Sequence, residues 1–286
     1  MRKEKPRNPQ FVPTQQRAYG GTIQTVGRLY RCTALVHDDA APEHRGAGGN
    51  VQLAMQQLMD ETQQAMVNSA SAQTGFPLAE VNLVHAQEIS RNASQSMWSD
   101  LLYLRDENPP MALRDYWAAD IAMLVRKTPD GGLCGLAYIP GYDAPQPAGF
   151  SPLAVGVAVH DCTFSPANFQ HEFAHLLGAN HNPANTLNTT ELICSAFGHW
   201  ANPQNAKKSG KRTIMSYKVN NPPLLCRGDC TQVFNYSNSE VDYMGDWTFQ
   251  TGVVDTRENA RVIAEVAPFA RDWKLSAGRI FADGFE

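Results

Sequence analysis

The segment from Ser165 to His181, SPANFQHEFAHLLGANH, constrains this chain more than any other. Ser165 suits a helix N-cap, and Pro166 suits the first helical position, where a missing N–H costs nothing. Nothing breaks a helix from there to Leu177. His171 and His175 are four residues apart, so a helix stacks them one turn apart on one face. Two imidazoles at that spacing can bind one metal ion as a rigid pair. Glu172 then stands beside the ion rather than on it, placed to take a proton from water activated there. Gly178 permits the left-handed turn that ends the helix, and the returning chain offers His181 as a third nitrogen. Three neutral imidazoles leave the fourth position of a Zn²⁺ ion open, which is the layout of a catalytic site rather than a structural one.

A histidine on a helix is more often a core or surface residue than a ligand, and Phe169, Phe173 and Leu176 mark an ordinary buried face. The pattern H-E-x-x-H-x-x-G-x-x-H nevertheless fixes five positions within eleven residues, which coincidence does not readily supply. A second element, Thr213-Ile214-Met215-Ser216-Tyr217, follows about where a turn beneath the metal is expected.

Composition narrows the remaining possibilities. At 286 residues the chain has room for a real core, in one large domain or two small ones. Hydrophobic residues make up 43%, and 24 basic residues face 28 acidic ones, so an ordinary globular protein is expected. No basic patch points to nucleic acid, and no apolar run approaches a membrane span. A monomer is expected. The N-terminus MRKEKPRNPQFVPTQQ is positive but lacks an apolar core, so it is not a signal peptide as it stands. Six cysteines, at positions 32, 134, 162, 194, 226 and 230, form no C-x-x-C pair. Disulfides in an oxidising compartment explain them better than buried thiols do, so a secreted protein is expected whose export signal is not in this chain. Cys134 with Cys162 and Cys226 with Cys230 are the expected pairs, although sequence does not fix connectivity.

Along the chain, residues 1–27 read as a leader or linker rich in Pro, Gln and Gly. Arg28–Val36 alternates as a first strand, and His37 to Gly49 is a polar loop. His37, Asp38, Asp39 and His44 in that loop read as solvated rather than metal-binding. Asn50 to about Ser71 is a long amphipathic helix with Val51, Met55, Leu58, Met59, Thr62 and Met66 on one side. Glu80–Ile89 is a second strand, a helix follows near Ser96–Arg105, and Asn108-Pro109-Pro110 interrupts it. Ala119–Arg126 is a nearly unbroken apolar run, as a central buried strand requires. Leu133–Ile139 is short and β-like, and Ala154–His160 is a strand leading into the histidine helix. Beyond His181 comes an Asn-rich loop, then the TIMSY turn, then an irregular stretch from Cys226 to Tyr236. Asp255 or Thr256 caps a last helix, Arg257–Trp273, with Val262, Val266 and Phe269 inward.

These residues resemble the metzincin clan of zinc endopeptidases, through His171-Glu172-x-x-His175-x-x-Gly178-x-x-His181 and the turn at Met215. Within that clan the chain is similar to the bacterial secreted peptidyl-Asp metalloendopeptidase family. That similarity is carried by ADIAMLV, CGLAYI, AVHDC, HEFAHLLGANHNP, RTIMSY and NARVIAEVAPF, roughly from Leu29 to Trp273. The resemblance implies an α/β (α+β) fold: a twisted mixed sheet with two long helices and the active-site helix, then an irregular C-terminal subdomain ending in a helix. The corresponding division is an upper subdomain over about 28–181, a lower one over 182–273, and a tail over 274–286.

The same resemblance implies that His171, His175 and His181 bind one zinc ion, with Glu172 as general base. Met215 would form the apolar floor, and Tyr217 would lie beside the metal to hold the developing oxyanion. Substrates would be proteins or peptides, cut before an acidic residue. Arg212 and Lys218, flanking the turn, are the candidate cations for that preference. In the family a cysteine pair follows the turn closely, whereas here Lys218 to Leu225 intervene, which puts the acidic preference in question. The rival readings are a zinc hydrolase of this fold acting on something other than protein, and a binding module without general proteolytic activity. A binding module is disfavoured because Glu172 and all three histidines are present.

Overall fold

The structure is a computed structural model that describes residues 51–91, 96–141, 143, 146–160, 162, 165–186, 195–218, 226–244 and 248–274, and the backbone of 29–37. The expected leader, the loop after His37, Cys194 and the RIFADGFE tail lie outside the described residues.

Five strands make the main sheet. They are β1 (Leu29–His37), β2 (Glu80–Ile89), β3 (Ile121–Arg126), β4 (Gly135–Ala137) and β5 (Val155–Val159), in the spatial order β2-β1-β3-β5-β4. The first four in that order run parallel, and only the edge strand β4 is antiparallel, paired Gly135↔Ala158 to Ala137↔Gly156 with β5. Every residue of β3 and β5 is buried, which is why both read as continuous apolar runs.

Helix α1 (Val51–Asn68) packs on β2 and buries Met55, Leu58, Met59, Thr62, Ala65 and Met66, the stripe that its 3.6-residue period requires. Helix α2 (Met97–Asp106) begins at an N-cap, Ser96, whose side chain accepts from Ser99 N. The helical region is interrupted at the Asn-Pro-Pro segment as expected, with Glu107 ending α2. The same segment also opens a new helix, α3 (Asn108–Tyr116), because proline in a first turn loses no hydrogen bond.

Helix α4 (Asn168–Leu176) carries the histidine motif between the sheet and the rest of the chain, and all its residues are buried. Ser165 is not its cap. The N-cap position falls on Ala167, whose N–H is taken by Gln232 Oε1, and Ser165 Oγ is buried without a hydrogen bond among the described residues. Gly178 has φ of 86°, the left-handed conformation that ends the helix.

The second half is built of short pieces: β6 (Trp200–Ala201), β7 (Lys211–Arg212), β8 (Thr231–Gln232), the β9 (Asp242–Met244) and β10 (Thr248–Gln250) hairpin, and α5 (Asn259–Ala270). The stretch expected to be irregular from Cys226 therefore includes β8, which pairs parallel with β7. Helix α5 starts later than expected and is not capped by Asp255 or Thr256; Ser237 Oγ accepts from Asn259 N instead. Val262 and Val266 are buried as expected, whereas Phe269 is 45% exposed. Asn259 Nδ2 donates to Asn180 O and Ala196 O and so anchors the segment that follows α4. Both expected disulfides, Cys134–Cys162 and Cys226–Cys230, are present.

Candidate active site

Helix α4 presents His171 and His175 on one face, and the turn at Gly178 returns His181 to them. His181 Nε2 lies 3.0 Å from His171 Nε2 and 2.9 Å from His175 Nε2. The three ligand atoms all lie within 4.8 Å of one another. Each ring is oriented through its other nitrogen. His171 Nδ1–H donates to Ile214 O (3.0 Å), His175 Nδ1–H donates to Ala179 O (2.7 Å), and His181 is hydrogen-bonded to the backbone of Asn185. A ring that donates from Nδ1 turns the lone pair of Nε2 outward, so three lone pairs converge on one point.

Three converging lone pairs repel unless a cation lies among them. Protonated imidazole does not supply it at neutral pH. Burial holds His171 down to about 3 and His181 down to about 4, and it puts His175 well below the usual histidine range. The neighbouring rings reinforce the effect on His171 and His175. The donor set therefore fits a metal ion.

Glu172 is 5% exposed and lies on the wall of a cavity of about 260 Å³, together with Gly132, Leu133, Cys134, Gly135 and Tyr217. Burial pushes its carboxyl up to about 8. Tyr217 is at the mouth, 38% exposed, with its hydroxyl 3.3 Å from His181 Nε2. Burial, and then the charge of Glu172, raise the phenol above its usual range, so it stays a hydrogen-bond donor. Its backbone N–H donates to Asn182 Oδ1 (3.0 Å), which ties the turn to the residue after His181. Met215 is fully buried in that turn.

The two candidate cations are placed differently. Arg212 is buried, donates from Nη1 to Ser216 O (2.7 Å), and acts electrostatically on both His171 and Tyr217. Lys218 is exposed, and neither residue is among those lining the cavity. Two contributors escaped the sequence reading: Gly135 in the cavity wall and Gln232 at the head of α4. Gly135 had a signal in its place beside Cys134 at the start of a strand. Gln232 had none.

Fold and site define a class: an α/β domain with three converging imidazoles that could hold a metal ion, and a carboxylate beside them, at an open cavity. A family model described as metallo-peptidase family M12 (Reprolysin_5) matches residues 29–228, more than half of the chain, and the chain belongs to that family. It is similar to the peptidyl-Asp metalloendopeptidase of Stenotrophomonas maltophilia strain K279a, with 27% identity over 221 residues, covering 76% of this chain and 46% of that protein. A peptidyl-Asp metalloendopeptidase of Xanthomonas campestris pv. campestris is 27% identical over 231 residues, covering 78% and 48%. The chain thus spans about half the length of the curated relatives it matches. Among solved structures, the fold is similar to a chain in the structure of a chaperone-substrate complex, with a TM-score of 0.61 and 17% identity over 87% of this chain and 39% of that one.

Proposed function

We propose that residues 28–273 form the catalytic domain of a secreted zinc endopeptidase, in which His171, His175 and His181 hold one zinc ion and Glu172 is the general base. The observation that carries this reading is the convergence of three Nε2 atoms beside a buried carboxylate at a cavity. Zinc in such a site supplies a water acidified to a pKa of about 7 and a positive charge for a developing oxyanion.

The chain's own residues do the rest. Strand β4 is the last in the sheet, so the edge it turns away from β5 can pair with an extended peptide beside Glu172. Burial raises the proton affinity of the Glu172 carboxylate above that of an exposed one, which suits it to take a proton and then to pass it to the leaving amine. Tyr217 keeps its phenolic proton and donates toward the carbonyl oxygen as charge develops there. Buried Met215 closes the floor under the imidazoles.

Cleavage before an acidic residue is the finer part of the proposal. It is supported by the names of the relatives. Secretion is supported by two disulfides, which persist in oxidising compartments. No described helix is long and apolar enough to cross a membrane.

The test is cleavage of a mixed peptide library by zinc-loaded protein, read by mass spectrometry with and without chelator. Chelator-sensitive internal cuts are expected, enriched in Asp or Glu after the scissile bond. Cuts without that enrichment remove the acidic preference, and no cuts by zinc-loaded protein remove the endopeptidase.

A further inference from the structure

Strand β4 opens with a glycine that its backbone does not require. Gly131 and Gly132, in the preceding turn, have φ of 56° and 93°, but Gly135 is outside the left-handed region. Glycine inside a strand weakens it and often marks a close approach by another group. That group is Glu172. A methyl group built on Gly135 would stand 2.2 Å from Glu172 Oε1 and 2.3 Å from its Cδ and Cγ, far inside contact distance.

The strand cannot retreat from α4 to make room. Asn168, one helical turn before Glu172 and on the same face, donates from Nδ2 to Cys134 O (2.6 Å) and Val159 O (3.1 Å). Val159 N donates to the same Cys134 carbonyl (2.7 Å), and Cys134 is bonded covalently to Cys162. The residue before Gly135 is therefore fixed to the sheet, to the helix and to the loop that precedes the helix. Any group added at 135 must displace the Glu172 side chain, which supplies the three nearest atoms.

We infer that Gly135 is a positioning residue for Glu172: its missing side chain is the seat that holds the carboxylate against β4 and beside the three imidazoles. The inference rests on the reading of Glu172 as general base. It explains why the carboxylate is buried on the cavity wall without any hydrogen bond among the described residues to place it. Its position is set by the shape of the strand.

The test compares the wild-type chain with Gly135→Ala, Glu172→Ala, Glu172→Gln and the double variant Gly135→Ala/Glu172→Ala. The readouts are zinc content, crystal structures, unfolding in urea, and kcat and KM on one peptide. Gly135→Ala should keep one zinc per chain and a near-wild-type KM while Glu172 shifts by about 1 Å and kcat falls about 100-fold. Alanine at 172 lacks the γ-carbon that the added methyl would meet, so Gly135→Ala should cost far less stability in the Glu172→Ala background than alone. If Gly135→Ala does not fold, the double variant should restore the folded protein. An unmoved Glu172 carboxylate in Gly135→Ala, stability costs that simply add, or a double variant as unfolded as the single one would overturn the inference. An inactive Glu172→Gln alongside such a result leaves the general-base reading standing. A fully active Glu172→Gln removes that reading, and the inference with it.

Discussion

The ring of His171 is held by a carbonyl outside its own helix: Nδ1 lies 3.0 Å from Ile214 O, and Gln232 Nε2 donates to the same oxygen at 3.1 Å. Gln232 also accepts from Ala167 N at the head of α4. One side chain on β8 thus joins the start of the histidine helix to the turn that orients its first imidazole. Removing it should loosen the ring without touching any proposed ligand. Gln232→Leu should weaken zinc binding about tenfold or more, measured by competition with a chromogenic chelator. Unchanged affinity would show that Ile214 holds the ring alone.

His199 makes stability depend on pH outside the histidine cluster. It is stacked on Phe249 with ring centroids 5.4 Å apart, and its buried Nδ1 has no hydrogen-bond partner among the described residues. Burial, then the charge of Arg257, bring its pKa from 6.5 down to about 4. Below pH 6.5 the unfolded chain takes up a proton that the folded chain refuses. Its contribution is therefore intact above 6.5 and is lost as pH falls toward about 4. The loss is on the order of 2–3 kcal/mol. In urea titrations at pH 7.5 and 4.5, His199→Phe should lose less stability between the two pH values than wild type does. Equal losses would place the acid sensitivity elsewhere.

The disulfides should contribute unequally. Cys134–Cys162 closes a 28-residue separation and lines the cavity, whereas Cys226–Cys230 spans only 4. Chain entropy assigns about 3.5 kcal/mol to the longer loop and about 2 kcal/mol to the shorter. The Cys134→Ser/Cys162→Ser pair should therefore unfold at lower urea than Cys226→Ser/Cys230→Ser. It should also lose peptide cleavage, since Cys134 adjoins Gly135 in the cavity wall. An active Cys134→Ser/Cys162→Ser protein would detach the bridge from the site.

Much of the site was legible because helical spacing fixes geometry. The four-residue step from His171 to His175 and the glycine at 178 are enough to bring His181 back to them. The apolar run of β3 marked the sheet's centre for the same kind of reason: burial on both faces favours apolar residues, and the one charged residue of the strand, Arg126 at its end, is paired with Asp100. What escaped depends on contacts distant in sequence. The cap of α4 comes from Gln232 and that of α5 from Ser237, so the local candidates Ser165, Asp255 and Thr256 misled. Proline also carries two meanings by position: the break at Asn108-Pro109-Pro110 was legible, but that the same prolines start α3 was not. Phe269 fits an apolar helical period yet faces solvent, because a surface can carry a lone aromatic without cost to the pattern.

The most direct test of the central claim is a paired measurement on Glu172→Gln, of zinc per chain and of kcat on a peptide that wild type cleaves. The substitution preserves size and removes basicity. The account predicts one zinc per chain and a loss in kcat of about 10²–10⁴-fold, the contribution of a positioned proton acceptor. A Glu172→Gln protein that binds zinc and cleaves at the wild-type rate would contradict it.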